Sequence, residues 1–213
     1  ITRLICLENT HNRGGGTIFP IDEIVRIKAV ADRNGLLMHL DGARLLHASI
    51  ATGIAPDVYA KPFHSVTLCL SKGLGAPIGS MISGSLEFID RVHRNRKMFG
   101  GGMRQVGIIA AAALYALENH VERMKEDHEH AKILANALSE LPGVSINPQH
   151  VETNIVVFDI SPSGLDTQKA FEALKARGVL VVPFGKNRLR AVPHLDISRE
   201  AIDRAILAFK EVF

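Results

Sequence analysis

The sequence predicts an α/β fold, in which part of a large domain with a mostly parallel sheet is followed by a small C-terminal α+β domain. Two short apolar runs, at 37–40 and 66–70, have the pattern of strands that are buried on both faces of a parallel sheet. Segments with helical periodicity alternate with these runs, as βαβ units require. We place the domains at residues 1–125 and 126–213.

The larger domain begins with a strand at 3–8. A helix from Pro20 to Asn34 follows, with apolar residues at helical spacing and Gly35 in position to end it. Beyond the run at 37–40, the pattern predicts, in chain order, a helix at 43–52, a short irregular or helical link at 57–63, a returning strand at 78–83 and helices at 85–97 and 104–119.

A charged helical pattern at 121–141 spans the boundary between the predicted domains, and Pro142 and Gly143, which end it, lead into the smaller domain. His120, His128 and His130 lie on this stretch without metal-ligand spacing, so we interpret them as surface histidines. The elements that follow are a strand at 151–159, a helix at 165–177, strands at 178–183 and 188–193, and a helix at 198–212.

Each of the two apolar runs is followed by a charged residue. Asp41 closes the first run and Lys72 follows the second, and α/β sheets place their ligands at the carboxyl ends of the strands. A buried carboxylate and an amine at this edge are the minimum set for pyridoxal 5'-phosphate (PLP): the lysine forms a Schiff base, and the aspartate pairs with the ring nitrogen. A simple salt bridge between the two, or Asp41 as a helix N-cap, would also account for them.

The residues around these charges favour a ligand site. Lys72 lies within Ser71–Pro77, a glycine-rich turn that a planar ligand can approach closely. Arg44, three residues after Asp41, offers a planar guanidinium suited to a substrate carboxylate.

Three motifs in this order carry a resemblance to a known family: His-Leu-Asp-Gly-Ala-Arg at 39–44, Ser-Lys-Gly-Leu-Gly-Ala-Pro at 71–77, and Gly-Gly-Gly-Met-Arg-Gln at 100–105. Together they resemble the threonine aldolases, members of the β-eliminating lyase group of fold-type I PLP enzymes, and the resemblance also runs through 5–16 and 188–198. It implies a fold-type I PLP-dependent transferase-like fold, bound PLP, and retro-aldol cleavage of threonine or allo-threonine to glycine and an aldehyde.

The resemblance also implies roles for further residues. Lys97 and Arg104 would contact the cofactor phosphate or a subunit interface, and Arg104 is predicted at a helix start, where backbone N–H groups also favour an anion. Arg188 and Arg190 share one face of a predicted strand, so either could bind a carboxylate. The Arg-x-Val-x-His spacing of the family fits Arg190, which with Arg44 would hold the substrate carboxylate.

The composition excludes several other classes of protein. The chain has 213 residues, a formal net charge of +3 and two cysteines. No apolar run reaches the ~20 residues of a membrane span, and no nucleic-acid motif, dinucleotide fingerprint or metal-ligand set is present. Cys6 and Cys69 are predicted to be small buried core residues in a reducing, cytoplasmic compartment.

The chain begins at Ile1, and we expect it to be the C-terminal part of a longer protein. In the family, a ring-stacking histidine, the main phosphate loop and the base for the β-hydroxyl lie upstream. The resemblance implies an amino-acid substrate and a homo-oligomer, a tetramer or dimer, with the upstream segment as a further partner. Two alternatives are another fold-type I activity, such as β-elimination or racemisation, and a non-catalytic protein that retains the fold.

Overall fold

The computed structural model describes residues 1–213 and divides into two units. Unit 1 comprises residues 1–10 and 18–122, and unit 2 comprises residues 11–17 and 123–213. Unit 2 is therefore built from two pieces of the chain, one of which lies near the N-terminus. None of the helices is both long enough and apolar enough to cross a membrane.

Unit 1 is a four-stranded sheet with helices. Its strands lie in the order β1-β2-β3-β4, with β1, β2 and β3 parallel and β4 antiparallel to β3. The elements are β1 (Leu4–Glu8), α1 (Ile21–Arg33), β2 (Leu37–Asp41), α2 (Leu45–Thr52), α3 (Pro56–Ala60), β3 (Ser65–Cys69), β4 (Ser80–Gly84), α4 (Leu86–Met98) and α5 (Gly107–Asn119).

Local chemistry explains where several of these helices begin and end. Asp22 and Glu23 lie in the first turn of α1, where carboxylates complement the positive end of the helix dipole. The helix α2 ends at Gly53, whose φ of 72° is readily available only to glycine. The Ser85 side chain accepts a hydrogen bond from the backbone N–H of Phe88 and so caps α4.

The two faces of this sheet differ. One face packs Leu40, Val66 and neighbouring side chains against a core that includes Ile24 of α1 and Tyr59 of α3. Side chains alternate between the faces of a strand, and on the other face Leu37 is 54% exposed and Cys6 is also exposed.

Two expectations for these strands are therefore wrong. The run at 37–40 is not buried on both faces, and Cys6 is not a core residue, because Leu37 and Cys6 are both exposed on the second face of the sheet. Cys69 is half-buried. We call this surface the open face of unit 1.

Unit 2 places three helices around a three-stranded antiparallel sheet with the order β5-β7-β6. Its core contains fully buried residues such as Phe158, Leu174 and Leu189. The elements are α6 (Met124–Ser139), β5 (Val156–Asp159), α7 (Thr167–Lys175), β6 (Val182–Pro183), β7 (Arg188–Ala191) and α8 (Arg199–Val212).

Several elements are shorter than the sequence pattern predicts, among them α5, β5 and β6. The helix α5 begins at Gly107 rather than at residue 104, because Gln105 has a left-handed φ of 49° that a helix does not allow. The strand β5 begins at Val156, after a 3-10 turn at Pro148–His150. The strand β6 contains only two residues.

The segment 11–17 is a loop closed by an antiparallel bridge between His11 and Thr17. The hydroxyl of Thr153 donates a 2.8 Å hydrogen bond to the carbonyl oxygen of Gly16, and both groups lie in unit 2. Gly16 has a φ of +80°, and a Cβ at this position would lie 2.7 Å from the Thr153 hydroxyl oxygen. This close approach therefore requires glycine.

Candidate active site

Lys72 lies in a turn that follows β3 at the carboxyl edge of the sheet. Leu70, Leu74 and Ala76 of this turn are buried, whereas Lys72 is exposed. The backbone N–H of Gly75 donates to the Lys72 carbonyl oxygen at 2.8 Å, and that of Ala76 donates to the Leu70 carbonyl oxygen at 3.0 Å. Three buried apolar side chains thus anchor this turn, while the Lys72 amine stays exposed to solvent.

Two histidines that sequence reasoning did not assign to the site support this turn. His47 of α2 is buried, and a Cβ on Gly73 would lie 2.2 Å from its Nε2 atom, so only glycine fits there. His120 places Nδ1 2.7 Å from the Leu74 carbonyl oxygen. The prediction of His120 as a surface histidine is wrong, because its ring is half-buried against the turn. The glycine beside Lys72 was the only sequence signal of such close packing.

Asp41 is the last residue of β2, the strand next to β3. It lies in parallel register with Thr67 of β3, so its carboxylate and the Lys72 turn follow neighbouring strands at the same edge. Its Oδ1 atom accepts a 3.0 Å hydrogen bond from the backbone N–H of Ala43. The side chain is exposed rather than buried, because it projects from the open face.

The structure does not support the alternative roles for Asp41. The helix α2 begins at Leu45 with Arg44 as its N-cap residue, so Asp41 does not cap it. The hydrogen bond that the Asp41 carboxylate makes is to the backbone of its own turn and not to the Lys72 amine.

Arg44 is half-buried and stands three residues after Asp41. The chain between them passes close to β3, because a Cβ on Gly42 would lie 2.5 Å from the Thr67 carbonyl oxygen. Glycine at this position lets the backbone approach the neighbouring strand and brings the Arg44 segment to the strand end.

Lys97 and Arg104 lie on either side of the glycine run at 100–102, and both are exposed. A Cβ on Gly102 would lie 2.7 Å from Cδ of Lys97, so this glycine makes room for the lysine side chain. Arg104 is not at a helix start, since it lies three residues before Gly107, the first residue of α5. The expectation that helical N–H groups join Arg104 in holding an anion is therefore wrong.

Arg190 belongs to unit 2, whereas Asp41, Arg44, Lys72, Lys97 and Arg104 all belong to unit 1. Its Nη1 atom donates a 2.6 Å hydrogen bond to Oδ1 of Asn12, and its guanidinium carbon lies 5.1 Å from the ring centroid of Phe184. Arg188, two residues earlier in β7, is exposed.

Other titratable groups of unit 2 lie on α6. Asp127 is fully buried and forms a two-point ion pair with Arg123, at 2.6 and 3.2 Å. Burial raises the pKa of Asp127, and the hydrogen bond and charge of Arg123 oppose this shift. Burial, with a smaller contribution from Lys132, lowers the pKa of His128 to about 4, so this histidine is not a freely solvated surface residue.

The groups at the carboxyl edge fit PLP. The cofactor needs an amine for its aldehyde, an acceptor for its protonated ring nitrogen and cations for its phosphate. Lys72 supplies an exposed amine, and Asp41 supplies a carboxylate of which only Oδ1 is engaged by the backbone. Lys97 and Arg104 supply exposed cations in the same unit.

Comparison with known proteins identifies the family that the chain resembles. A family model described as beta-eliminating lyase matches residues 1–161. The chain is 41% identical over 211 residues to the low-specificity L-threonine aldolase 1 of Arabidopsis thaliana, covering 99% of this chain and 59% of that protein. It is 41% identical over 202 residues to the low specificity L-threonine aldolase of Escherichia coli K12, covering 94% of this chain and 57% of that protein.

The fold is shared with solved PLP enzymes. A PLP-dependent aminotransferase from Streptococcus suis superposes with a TM-score of 0.74 at 17% identity, over 99% of this chain and 57% of that one. This likeness confirms the predicted fold-type I class, and the family match confirms the resemblance read from the three motifs. The chain spans about 60% of the length of the curated relatives it matches.

Proposed function

The chain belongs to the beta-eliminating lyase family, and from that premise we propose that it is part of a PLP-dependent aldehyde-lyase. The reaction is cleavage of the Cα–Cβ bond of threonine or allo-threonine, and of other β-hydroxy-α-amino acids, to glycine and an aldehyde. The observation that carries this proposal is the buried turn that presents Lys72 at the same sheet edge as Asp41. The names of the two curated relatives support the choice of reaction.

Within this proposal, Lys72 holds the cofactor through its Nζ atom and Asp41 keeps a proton on the ring nitrogen, since a carboxylate beside that nitrogen raises its pKa. Lys97 and Arg104 hold the phosphate. PLP, when bound, supplies an electron sink that stabilises negative charge at Cα. We therefore assign Lys72, Asp41 and Arg44 as catalytic residues.

Arg44 and Arg190 hold the substrate α-carboxylate in this proposal. A planar guanidinium binds a carboxylate through two parallel hydrogen bonds, and this fixes the orientation of the amino acid. The orientation decides which bond at Cα is broken, because only a correctly aligned bond gains from the electron sink. As the Cα–Cβ bond breaks, the β-hydroxyl loses its proton to form the aldehyde C=O, and Cα gains a proton to give glycine.

We further propose a cytoplasmic homo-oligomer, a tetramer or dimer. The two cysteines are not joined in a disulfide, which suits a reducing compartment. Exposed apolar side chains are concentrated between residues 98 and 117, including Phe99, Ile108 and Tyr115. Such a surface is typical of subunit interfaces.

The test is borohydride reduction of the whole protein loaded with PLP, followed by peptide mapping and an acetaldehyde assay with threonine. We expect the reduced label on Lys72, and we expect Lys72→Ala to lose both the label and the cleavage of threonine. Lys61→Ala, which removes another exposed lysine of unit 1, is the matched control and should keep both.

Each contrary result has a definite meaning. A label on another lysine would overturn the assignment of Lys72. A label on Lys72 without acetaldehyde, but with pyruvate from cysteine-like substrates, would favour β-elimination, and interconversion of amino-acid enantiomers would favour racemisation. No label and no turnover would favour a non-catalytic protein.

A further inference from the structure

We propose that Arg13 adds a second cation to the carboxylate site of Arg190, so that this site favours amino acids bearing a second acidic group. The inference deepens the proposed function and rests on it for the identity of the substrate. It concerns four residues of unit 2, Asn12, Arg13, Phe184 and Arg190, which we call the Phe184 cluster.

The arrangement around Arg190 leaves one donor of its guanidinium without an acceptor. Asn12 accepts the hydrogen bond from Nη1, whereas the Nε atom of Arg190 is buried and has no hydrogen-bond partner. Nε and Nη2 form the edge of a guanidinium that binds a carboxylate through two parallel hydrogen bonds. A buried donor without an acceptor is unfavourable, and a bound carboxylate would satisfy it.

Arg13 contacts the same aromatic ring. Its guanidinium carbon lies 5.2 Å from the Phe184 centroid, and that of Arg190 lies 5.1 Å from it. The two guanidinium carbons are therefore no more than about 10 Å apart. A dianion of the size of a four-carbon dicarboxylate can contact two cations at this separation, because each acidic group reaches a guanidinium by direct hydrogen bonds.

The charge of the cluster points to an anionic ligand. The contacts described for these two guanidiniums are to an amide oxygen and an aromatic ring, neither of which carries a negative charge. Phe184 is buried, so its ring is a fixed platform for both cations. Two like charges held close together repel each other, and a dianion relieves this repulsion more than a monoanion does.

The substrate class that follows is a β-hydroxy-α-amino acid with an acidic group on Cβ, for which β-hydroxyaspartate is the probe. Its Cα–Cβ bond breaks, the β-hydroxyl loses its proton as the aldehyde C=O forms, and Cα gains a proton. The products are glycine and glyoxylate, so atoms and electrons balance without another reactant.

The first test measures binding by calorimetry with the whole PLP-loaded protein, using succinate as the dicarboxylate and propionate as the monocarboxylate. We expect Arg13→Ala to weaken succinate binding about tenfold, which is the loss expected for one charged hydrogen-bond partner. The same substitution should weaken propionate binding much less. Arg13→Lys should restore part of the preference, because it keeps the charge but not the planar stacking. Lys186→Ala, which removes an exposed charge two residues after Phe184, is the control and should leave both affinities unchanged.

The second test compares kcat/KM for β-hydroxyaspartate and threonine, and Arg13→Ala should lower the ratio of the first to the second by a similar factor. The inference is overturned if Arg13→Ala weakens succinate and propionate equally, or weakens neither. The calorimetry needs no turnover. If the protein prefers succinate but does not cleave threonine, only the proposed reaction is rejected. If it cleaves threonine but shows no preference for succinate that depends on Arg13, only this inference is rejected.

Discussion

Units 1 and 2 are of similar size but differ in how much apolar surface they leave uncovered. Of the twenty large apolar side chains that are exposed, seventeen lie in unit 1 and only Leu180, Val182 and Leu207 lie in unit 2. Unit 2 has a sheet with one face packed under three helices, whereas unit 1 has an open sheet face and the nearly all-apolar helix α5. A helix that is apolar on all sides is usually buried.

This difference shows that the proposed cofactor residues, Lys72 and Asp41 among them, stand on the less covered of the two units, whereas Arg190 stands on the other. Asp41 projects from the open face, yet the turn that carries Lys72 is packed tightly from below by His47 and His120. Unit 1 is therefore tightly packed beneath the Lys72 amine and exposed where the Asp41 carboxylate faces outward. The following predictions test this contrast.

The largest expected effect is on packing. Leu189→Ala in β7, where the side chain is fully buried, should lower the free energy of unfolding of unit 2 by about 2–5 kcal/mol, because it leaves a cavity. Leu37→Ala in β2, where the side chain is 54% exposed, should cost unit 1 less than about 1 kcal/mol. Hydrogen exchange resolved by unit measures both, and equal losses would contradict the contrast.

The second prediction concerns ion pairs. Arg123→Met should destabilise unit 2 by about 3 kcal/mol, because it leaves the buried Asp127 carboxylate without its partner. Arg26→Met breaks the exposed pair with Glu23 in unit 1 and should cost less than about 1 kcal/mol. Denaturant titration checks both, and replacing Asp127 as well should recover most of the Arg123→Met loss. If Arg123→Met is as mild as Arg26→Met, the buried pair does not contribute as proposed.

The third prediction is a dependence of stability on pH that originates in unit 2. The folded pKa of His128 is about 4, below its ordinary value of 6.5, so the unfolded chain binds a proton first as the pH falls. Protonation of His128 therefore leaves the free energy of unfolding unchanged above pH 6.5 and lowers it by roughly 2–3 kcal/mol as the pH approaches 4.

His128→Leu should remove this part of the pH dependence. The raised pKa of Asp127 has the opposite sign but is present with and without the substitution, so it cancels in the comparison to first order. His93→Leu, at an exposed position of α4 in unit 1, is the matched control. Parallel stability curves for His128→Leu and the unsubstituted protein between pH 4 and 6.5 would refute the assignment.

The smallest effect is expected at the turn beside Lys72. Gly73→Ala places a methyl group against His47 and should weaken PLP binding by about 1–3 kcal/mol, because the turn must shift to accept it. Gly107→Ala, where a Cβ meets no atom within 4 Å, is the control. Titration of PLP monitored by absorbance measures both, and His47→Ala should partly rescue Gly73→Ala. Equal affinities for the two glycine variants would show that the turn is not tight.

Sequence reasoning succeeded where the controlling interactions are local. The helix ends at Gly35 and Gly53, the antiparallel return after the Lys72 turn, and the placement of Asp41 at a strand end all follow from neighbouring residues. The match to the beta-eliminating lyase model confirms the family resemblance that the three motifs carry.

The errors have non-local or conformational causes. The exposure of Cys6 depends on what covers a sheet face, which no local pattern encodes. The helix α5 starts late because Gln105 has a left-handed backbone conformation, which a glutamine in the sequence does not indicate. The hydrogen bond between Asn12 and Arg190 joins residues 178 positions apart, and a motif search treats the two separately.

The split composition of unit 2 has a consequence for how the chain acquires its structure. During synthesis, residues 11–17 leave the ribosome more than a hundred residues before the remainder of the unit to which they belong. Contacts of such high sequence separation slow folding, because a long loop must close before they form. The Asn12–Arg190 pair can therefore form only after residue 190 has been made, so the proposed carboxylate site matures long after the loop at 11–17 has left the ribosome.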